Sequence, residues 1–247
     1  MEVPPHISVF ETPEQLAEAA AERFVKVANH AQESSGRFSV ALAGGRTPKR
    51  VYELLATEGF RNRVEWSRVY VFFGDERCVP LDHAQSNYAM AHSALLSKVP
   101  LPAGNVFRIA GEGDPTEGAR AYEAELSQFF APVARLRFDL VLLGMGADGH
   151  TASLFPESNA LEETFQLVVP TKSPQEQCRI TLTLGALNTA ARTIFLVTGE
   201  EKAATLSKVL QRQSGSLRLP ASLIKPNDGT LEWFVDRKAA SGLQQFT

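Results

Sequence analysis

The chain has 247 residues, 44% of them hydrophobic, so it can bury a substantial core as one large domain or two small ones. Its 25 basic and 28 acidic residues give a formal net charge of −3, which supplies no general electrostatic reason to bind nucleic acid or an anionic membrane. No apolar run approaches the roughly 18 residues of a membrane span and no secretion-signal pattern opens the sequence, so we expect a cytoplasmic protein without a membrane partner.

Short runs rich in β-branched and aromatic residues alternate with segments of helical period. The predicted strands are ISVF (7–10), FSVALAG (38–44), RVYVFFG (68–74), FDLVLLG (138–144), TIFLVTG (193–199) and LEWFVD (231–236). The predicted helices are one after Thr12-Pro13, followed by 47–56, 86–98, 115–130 and 200–211. This alternation predicts an α/β fold with a mostly parallel sheet and helices on both faces. We expect a single domain over 1–247, with a small lid or subdomain around 156–178.

Ligands of an open parallel sheet bind beyond the carboxyl ends of its strands. Four of the predicted strands end in chemically suggestive segments, which read AGGRTP, FGDER, GMGADGH and VTGEEK. We therefore expect these four segments to meet in one crevice.

The first segment joins strand 38–44 to the helix that follows. Two adjacent glycines, Gly44 and Gly45, allow a tight turn whose N–H groups can approach an anion, and the Thr47 hydroxyl can also donate a hydrogen bond. Arg46 favours this interpretation, because a cation at a helix start opposes the helix dipole unless an anion is bound. The alternatives are a phosphate cradle and a plain turn in which Thr47 only caps the helix.

The second segment places three charges directly after the buried strand VYVFF. Arg77 can contact phosphate or carboxylate oxygens in a bidentate fashion, and Asp75 can accept hydrogen bonds from hydroxyl groups. A local ion pair between Asp75 and Arg77 is the alternative, and such a pair contributes little at a surface.

The segment VTGEEK ends another strand and begins a helix. Glutamates suit a helix N-terminus, whereas Lys202 opposes the helix dipole there. A bound phosphate would explain Lys202, and the alternative is an ordinary solvated lysine.

The segment LVLLGMGADGH contains G-x-G-x-x-G after a strand, the glycine pattern of dinucleotide-binding folds. That pattern requires a full helix after the third glycine and an acidic strand end about 20 residues later. Here Pro156 follows Gly149 after seven residues, and the next apolar run, LVVPT, ends in threonine. The charge of Asp148 would also repel a pyrophosphate. The sequence therefore predicts no nucleotide cofactor.

Asp148 and His150 lie two residues apart in this glycine-rich loop. Histidine can accept a proton near neutral pH, and a neighbouring carboxylate can fix its tautomer and raise its basicity. The functional hypothesis is a general base at a strand end. The alternative is a structural histidine that caps a short helix, 151–155.

Two cysteines, Cys78 and Cys178, lack the spacing of a metal site and are too few for a disulfide framework. We expect both to be free thiols. No His, Cys or carboxylate cluster has the spacing of a catalytic zinc site, so we also expect no required metal.

The chain resembles the 6-phosphogluconolactonase family, within the glucosamine-6-phosphate isomerase superfamily. The resemblance follows chain order over nearly the whole length, in ALAGGRTP, VYVFFGDER, SNYAMA, FDLVLLGMGADGHTASLFP, RITLTLGALN, VTGEEKA and LPASLIKP. It implies a Rossmann-like sheet and the hydrolysis of 6-phospho-D-glucono-1,5-lactone to 6-phosphogluconate in the oxidative pentose phosphate pathway. A small phosphorylated sugar lactone is thus the expected partner, and the oligomeric state is left open.

For this reaction we expect His150 to activate water, Asp148 to orient the imidazole and Asp75 to contact the sugar or place an arginine. Backbone N–H groups of the loop 146–149 are candidates for an oxyanion hole. The expected phosphate-binding residues are Gly44, Gly45, Arg46, Thr47, Arg77 and Lys202, together with Arg179, which matches the arginine of the family's RITLT segment.

Two alternatives belong to other functional classes. Related deaminases carry Asn-Glu-Pro after DGH, and their glutamate belongs to a carboxylate–histidine relay that opens the sugar ring. The corresponding stretch here is Leu154-Phe155-Pro156, and phenylalanine cannot relay a proton. A non-catalytic sugar-phosphate sensor on the same fold is the second alternative.

Overall fold

The strands of the protein form two separate sheets in a computed structural model that describes residues 6–131, 135–211 and 219–243. A six-stranded sheet has the order β1-β9-β8-β5-β2-β3, and all its pairs are parallel. Its strands are β1 (His6–Phe10), β2 (Phe38–Leu42), β3 (Val69–Phe73), β5 (Leu140–Leu143), β8 (Arg192–Val197) and β9 (Thr230–Asp236). A three-stranded antiparallel sheet, ordered β4-β7-β6, consists of β4 (Asp75–Arg77), β6 (Val168–Lys172) and β7 (Cys178–Leu182).

Helices connect the parallel strands. They are α1 (Pro13–Ser35), α2 (Arg46–Leu55), α3 (Glu58–Arg61), α4 (Asn87–Ala91), α5 (Pro115–Phe130), α6 (Leu184–Leu187) and α7 (Ala203–Leu210). A π-helical turn (His92–Leu96) extends α4, and a 3₁₀ turn (Glu200–Lys202) precedes α7. Further 3₁₀ turns are Trp66–Arg68, Ala103–Asn105, Asn159–Leu161, Pro220–Leu223 and Ala239–Gly242.

The predicted α/β class and parallel sheet are confirmed. Each predicted strand corresponds to a strand of the six-stranded sheet, and every residue of β2 and β5 is buried. Such fully apolar strands are expected where both faces of a sheet are covered. Helix α1 begins as predicted, because Thr12 accepts a hydrogen bond from the N–H of Gln15 at 3.2 Å and Pro13 occupies the first turn.

The antiparallel sheet is absent from the predicted elements. Its strands are short, and two of them carry residues that disfavour strands, such as the charged β4 and Pro170 within β6. Strand β6 lies inside the segment 156–178, for which we expect a lid or subdomain. That segment therefore supplies part of a small sheet beside the main one.

The expectation of two free thiols is wrong. Cys78 and Cys178 form a disulfide, with Cα atoms 5.3 Å apart, although 100 residues separate them in the chain. The pairing of β4 with β7 explains this, because Arg77 lies opposite Arg179 and the cysteines occupy the adjacent positions. Antiparallel pairing thus brings together two side chains whose spacing in the sequence suggests no relation.

Two buried tyrosines fix the carboxyl ends of neighbouring strands. The Tyr52 hydroxyl donates to the carbonyl of Ala43 at 2.8 Å and accepts from its N–H at 3.0 Å. The Tyr122 hydroxyl makes the same two bonds with Phe73, at 3.0 and 2.8 Å. Both tyrosines lie on helices beside the sheet, so the points at which β2 and β3 end are tied to the helical layer.

Candidate active site

The carboxyl ends of β2, β3, β5 and β8 open onto one cleft of about 830 Å³. Its lining includes the predicted site residues Gly44, Gly45, Arg46, Thr47, Asp75, Arg77, His150, Arg179 and Lys202. Asp148 is not part of this lining, but it contacts His150, which is. The structure therefore places all four strand-end segments around one cleft.

Asp148 and His150 form a hydrogen-bonded pair, with Oδ1 and Nδ1 2.6 Å apart. The same carboxylate oxygen accepts the backbone N–H of His150 at 3.1 Å. An ionised carboxylate only accepts hydrogen bonds, so Nδ1 carries a proton, and in the neutral imidazole the lone pair is then on Nε2. Partial burial acts to raise the pKa of Asp148, but its hydrogen bonds and charge interaction with His150 outweigh burial and lower that pKa.

Gly146 makes room for this pair. A Cβ atom at Gly146 would lie closer than 3.0 Å to both His150 Nδ1 and Asp148 Oδ1, so a larger residue cannot coexist with their hydrogen bond. Gly149 has φ +83°, a left-handed conformation that glycine adopts readily. Gly146 of the G-x-G-x-x-G pattern therefore accommodates the hydrogen-bonded pair of Asp148 and His150.

The segment after Gly149 is not helical. Thr151 and Leu154 form an isolated bridge that closes a tight turn, so the alternative in which His150 caps a helix at 151–155 is wrong. Without a helix N-terminus, this strand end also lacks the anion-binding dipole of a dinucleotide site.

The expectation of an oxyanion hole in the loop 146–149 is wrong for two of the N–H groups, because they already have acceptors within the loop. Gly146 donates its N–H to the carbonyl of His150 at 2.8 Å, and Gly149 donates to the carbonyl of Gly146 at 3.0 Å. These donors stabilise the loop itself and are therefore not available to a reacting carbonyl.

Alternating side chains of β4 explain the segment Asp-Glu-Arg. Successive residues of a strand point to opposite faces, so Asp75 and Arg77 share the face that lines the cleft while Glu76 points away. Glu76 is buried and accepts the N–H groups of Asn87 and Tyr88 at 2.7 and 2.8 Å, at the start of α4. Burial raises the pKa of Glu76, although these backbone hydrogen bonds oppose the increase.

Asp75 is held by two side chains that are not among the predicted site residues. Its carboxylate accepts from Ser153 Oγ at 2.6 Å and from Asn87 Nδ2 at 3.2 Å. Asp75 forms no ion pair with Arg77 in the part of the chain that the structure describes, so the alternative of a local pair is wrong. Asn87 and Ser153 also line the cleft, and their only signal in the sequence is their place within SNYAMA and DGHTASLFP.

Arg77 and Arg179 lie directly opposite each other on β4 and β7 and both line the cleft. Arg77 donates to the carbonyl of Gln85, and Arg179 donates to Gln177 Oε1 at 2.9 Å. The Nε atom of each arginine is buried without a hydrogen-bond partner. Burial, followed by the charge of Arg77, lowers the pKa of Arg179. Two adjacent guanidinium groups with unused donors form a ready site for an oxyanion.

Seven basic residues in the described part of the chain line the cleft. Four of them are the predicted Arg46, Arg77, Arg179 and Lys202, and the others are Lys49, Arg50 and Lys238. Within 6–131, 135–211 and 219–243, none of the four has a carboxylate oxygen within the 4.0 Å of an ion pair. Other arginines are paired, as in Arg23–Glu232, Arg63–Glu22 and Arg192–Glu232. Positive charge in the cleft is therefore left without a partner from the protein.

The turn after β2 lies at the predicted position. The alternative in which Thr47 only caps the following helix is wrong. Gly45 is the N-cap of α2 at φ +103°, and Thr47 caps nothing, because its hydroxyl lies 2.7 Å from that of Thr198. Gly44 has another constraint, since a Cβ there would overlap the side chain of Asn87. The two glycines thus serve different purposes, one in backbone conformation and one in packing.

No helix of the described residues is long and apolar enough to cross a membrane. The same residues contain no group of three or more His, Cys, Asp or Glu side chains arranged to hold a metal ion. The absence of a required metal or cofactor stays a prediction.

Comparisons with known proteins agree with the geometry. The family model described as glucosamine-6-phosphate isomerases/6-phosphogluconolactonase matches residues 11–233. A 6-phosphogluconolactonase of Synechocystis sp. is 39% identical over 85% of this chain and 86% of its own, and that of Rattus norvegicus is 38% identical over 95% and 92%. The structure of 6-phosphogluconolactonase from Trypanosoma cruzi superposes with a TM-score of 0.87 at 32% identity, covering 99% of this chain and 98% of that one. The chain therefore belongs to the glucosamine-6-phosphate isomerase/6-phosphogluconolactonase family.

Proposed function

We propose that the protein hydrolyses 6-phospho-D-glucono-1,5-lactone to 6-phospho-D-gluconate, a step of the oxidative pentose phosphate pathway. The relatives named 6-phosphogluconolactonase support this substrate. The observation that carries the proposal is the joint placement in one cleft of a carboxylate-supported imidazole and several unpaired cations, Arg46, Arg77, Arg179 and Lys202 among them. A small molecule with one phosphate and one bond to hydrolyse fits this arrangement.

Arg77 and Arg179 bind the substrate phosphate in this proposal. Their side chains lie on the same face of the antiparallel sheet, and their buried Nε–H groups lack acceptors. A phosphate dianion in the cleft would accept hydrogen bonds from the two guanidinium groups and offset the repulsion between them. Lys202 and Arg46 extend the positive surface, while the start of α2 at Gly44, Gly45 and Thr47 adds backbone N–H groups.

His150 is the general base. Its Nδ1–H is donated to Asp148, so Nε2 takes a proton from water as the water oxygen attacks the lactone carbonyl carbon. The imidazole becomes an imidazolium, which the carboxylate of Asp148 stabilises at 2.6 Å. Asp148 is thus a positioning residue, because it acts on the reaction through His150.

Collapse of the tetrahedral intermediate breaks the bond between the carbonyl carbon and the ring oxygen. The imidazolium returns its proton from Nε2 to that departing oxygen, which becomes a hydroxyl group. The new carboxylic acid ionises at neutral pH. Water and lactone are consumed, and His150 ends in its starting state.

Asp75 supports the cation pair. Its carboxylate is fixed by Ser153 and Asn87, and its charge acts to raise the pKa of Arg179 against the lowering effect of burial. We propose that Asp75 keeps Arg179 oriented toward the cleft, which is one of the two roles expected for it from the sequence.

Phe155 argues against deaminase chemistry. Its ring centre lies 4.8 Å from that of His150, and this apolar ring supplies no second proton-transfer group beside the imidazole. Hydrolysis of a lactone requires only one base for water, whereas ring opening of an amino sugar in the related deaminases uses a carboxylate relay. Nothing in the cleft favours the deaminase or the sensor.

The test is an assay on freshly generated lactone, corrected for spontaneous hydrolysis. We expect turnover by the wild type, and a loss of about 10²–10⁴ in kcat for His150→Ala with little change in KM. His30→Ala, at an exposed position of α1, is the matched control and should keep full activity. No turnover above background would contradict the proposal, and ammonia release from glucosamine 6-phosphate would indicate the deaminase instead.

A further inference from the structure

The Cys78–Cys178 disulfide lies next to both arginines of the cleft. Cys78 directly follows Arg77 and Cys178 directly precedes Arg179, and the N–H of Cys78 donates to the carbonyl of Cys178 at 3.1 Å. Strand β4 has only three residues and is an edge strand of its sheet, paired with β7 alone. The covalent link therefore reinforces a short pairing that carries one arginine on each strand.

Hydrogen bonds beside the disulfide connect the same two chain segments. Gln177 receives a hydrogen bond from Arg179 and donates one from its Nε2 to Gln85 Oε1 at 2.9 Å. Gln85 in turn accepts a hydrogen bond from Arg77 through its backbone carbonyl. Gln85 thus holds the guanidinium of Arg77 and Gln177 holds that of Arg179, and the two glutamines are hydrogen-bonded to each other.

Two adjacent guanidinium groups repel each other unless an anion lies between them. The described residues supply no carboxylate within ion-pair distance of either group, so, beside the hydrogen bonds to Gln85 and Gln177 and the charge of Asp75, the position of the pair depends on the pairing of β4 with β7. A link at Cys78 and Cys178 opposes separation of these strands while the cleft is empty. Opening the link would remove this restraint at the point where the two charges meet.

We propose that Cys78 and Cys178 form a reversible disulfide that positions the arginine pair, so that the affinity of the cleft for phosphate depends on the redox state of the protein. The proposal rests on the proposed function, in which this pair binds the substrate phosphate. Both cysteines are partly exposed, so a small dithiol can reach them.

The chemical step is thiol–disulfide exchange. A dithiol reductant attacks one sulfur as a thiolate and forms a mixed disulfide, and its second thiol then displaces the other cysteine. Two electrons and two protons pass to the protein, which gains two thiols, while the reductant becomes a cyclic disulfide. Reducing compartments favour the dithiol and oxidising conditions favour the bridge, so both forms are chemically accessible.

The experiment compares protein treated with dithiothreitol and protein oxidised under mild conditions. Isothermal calorimetry with inorganic phosphate and with 6-phosphogluconate gives Kd for each form, and the lactone assay gives KM and kcat. We expect reduction to raise both Kd values and KM roughly tenfold, about the effect of losing one hydrogen bond to a charged group, while kcat changes less than about twofold. The double variant Cys78→Ser/Cys178→Ser should show the Kd of the reduced form in both conditions.

Three outcomes would overturn the proposal. These are two alkylatable thiols in the oxidised protein, equal Kd values for the two redox forms, and a double-serine variant that binds phosphate as tightly as the oxidised wild type. Because the wild type alone supplies both forms, the comparison does not depend on the folding of the variant. Absence of lactone hydrolysis by either form would contradict the proposed function, whereas the phosphate Kd values would still decide the role of the disulfide.

Discussion

Gly146→Ala is the sharpest test of the acid–base pair, because it adds one methyl group between His150 and Asp148. The added Cβ would lie far inside van der Waals contact with both Nδ1 and Oδ1, and ordinary contact begins at 3.4 Å, so each atom must retreat by more than about 1 Å. Those two atoms are 2.6 Å apart, and their hydrogen bond cannot survive a methyl group placed against both. The imidazole then loses its tautomer and its orientation.

A displacement of about 1 Å in a catalytic group can reduce the rate about 100-fold, which corresponds to about 2.7 kcal/mol in the activation barrier. We expect kcat of Gly146→Ala to fall by about this factor, with KM within a few-fold of the wild type. His150 and Asp148 are 33% and 42% exposed, so both side chains can move toward solvent and the fold should be retained. Initial rates of lactone hydrolysis and a thermal melt measure the two effects.

The matched control is Gly144→Ala in the same loop, where an added Cβ meets no atom within 4 Å. Its kcat should stay within a few-fold of the wild-type value. An equal loss of kcat in both variants would refute the reasoning, because the effect would then belong to the loop backbone. Near-normal turnover by Gly146→Ala would refute it as well.

Three further predictions concern binding, pH and stability. Arg179→Ala should raise KM about 10- to 100-fold with little effect on kcat, whereas Arg120→Ala, at an exposed ion pair, should change neither in the same assay. Because the pKa of Asp148 is lowered on folding, its ionised form stabilises the protein above about pH 4, and this contribution is lost as the pH falls through the folded-state value. The difference in Tm between the wild type and Asp148→Asn should therefore shrink from pH 7 to pH 3, and a constant difference would contradict this. Tyr52→Phe leaves the N–H and carbonyl of Ala43 unpaired and should lower the free energy of unfolding in urea by about 1–3 kcal/mol, so a change below about 0.5 kcal/mol would count against the role of the hydroxyl.

The parallel sheet could be predicted because its strands are continuous apolar runs. All residues of β2 and β5 are buried, and burial favours apolar side chains that can be recognised in the sequence. Each run also ends at a glycine-containing turn. Strand β4 consists of Asp75, Glu76 and Arg77, which have no intrinsic preference for a strand. Its conformation depends on pairing with β7, about 100 residues later, and local sequence does not encode such a contact.

The same limit applies to the parts of the site that the sequence does not reveal. The disulfide, the pairing of Arg77 with Arg179 and the hydrogen bond from Ser153 to Asp75 all depend on the register of β4 against β7 or on its contact with the loop after Gly149. The Asp148–His150 pair is different, because two residues of separation place both groups in one loop whatever the rest of the fold does. A pair of functional groups within one loop can therefore be predicted from the sequence, whereas the contacts between distant segments that position the other site residues cannot.

Gly146 also explains why one glycine pattern can serve two chemistries. In a dinucleotide fold, a glycine at this point lets the backbone approach a pyrophosphate. Here the space that a Cβ would fill is taken by the imidazole of His150 and the carboxylate of Asp148. A pyrophosphate could enter only by displacing both groups, and it would meet the negative charge of Asp148 in doing so. The same missing side chain thus admits the Asp148–His150 pair and thereby excludes the nucleotide that the pattern usually binds.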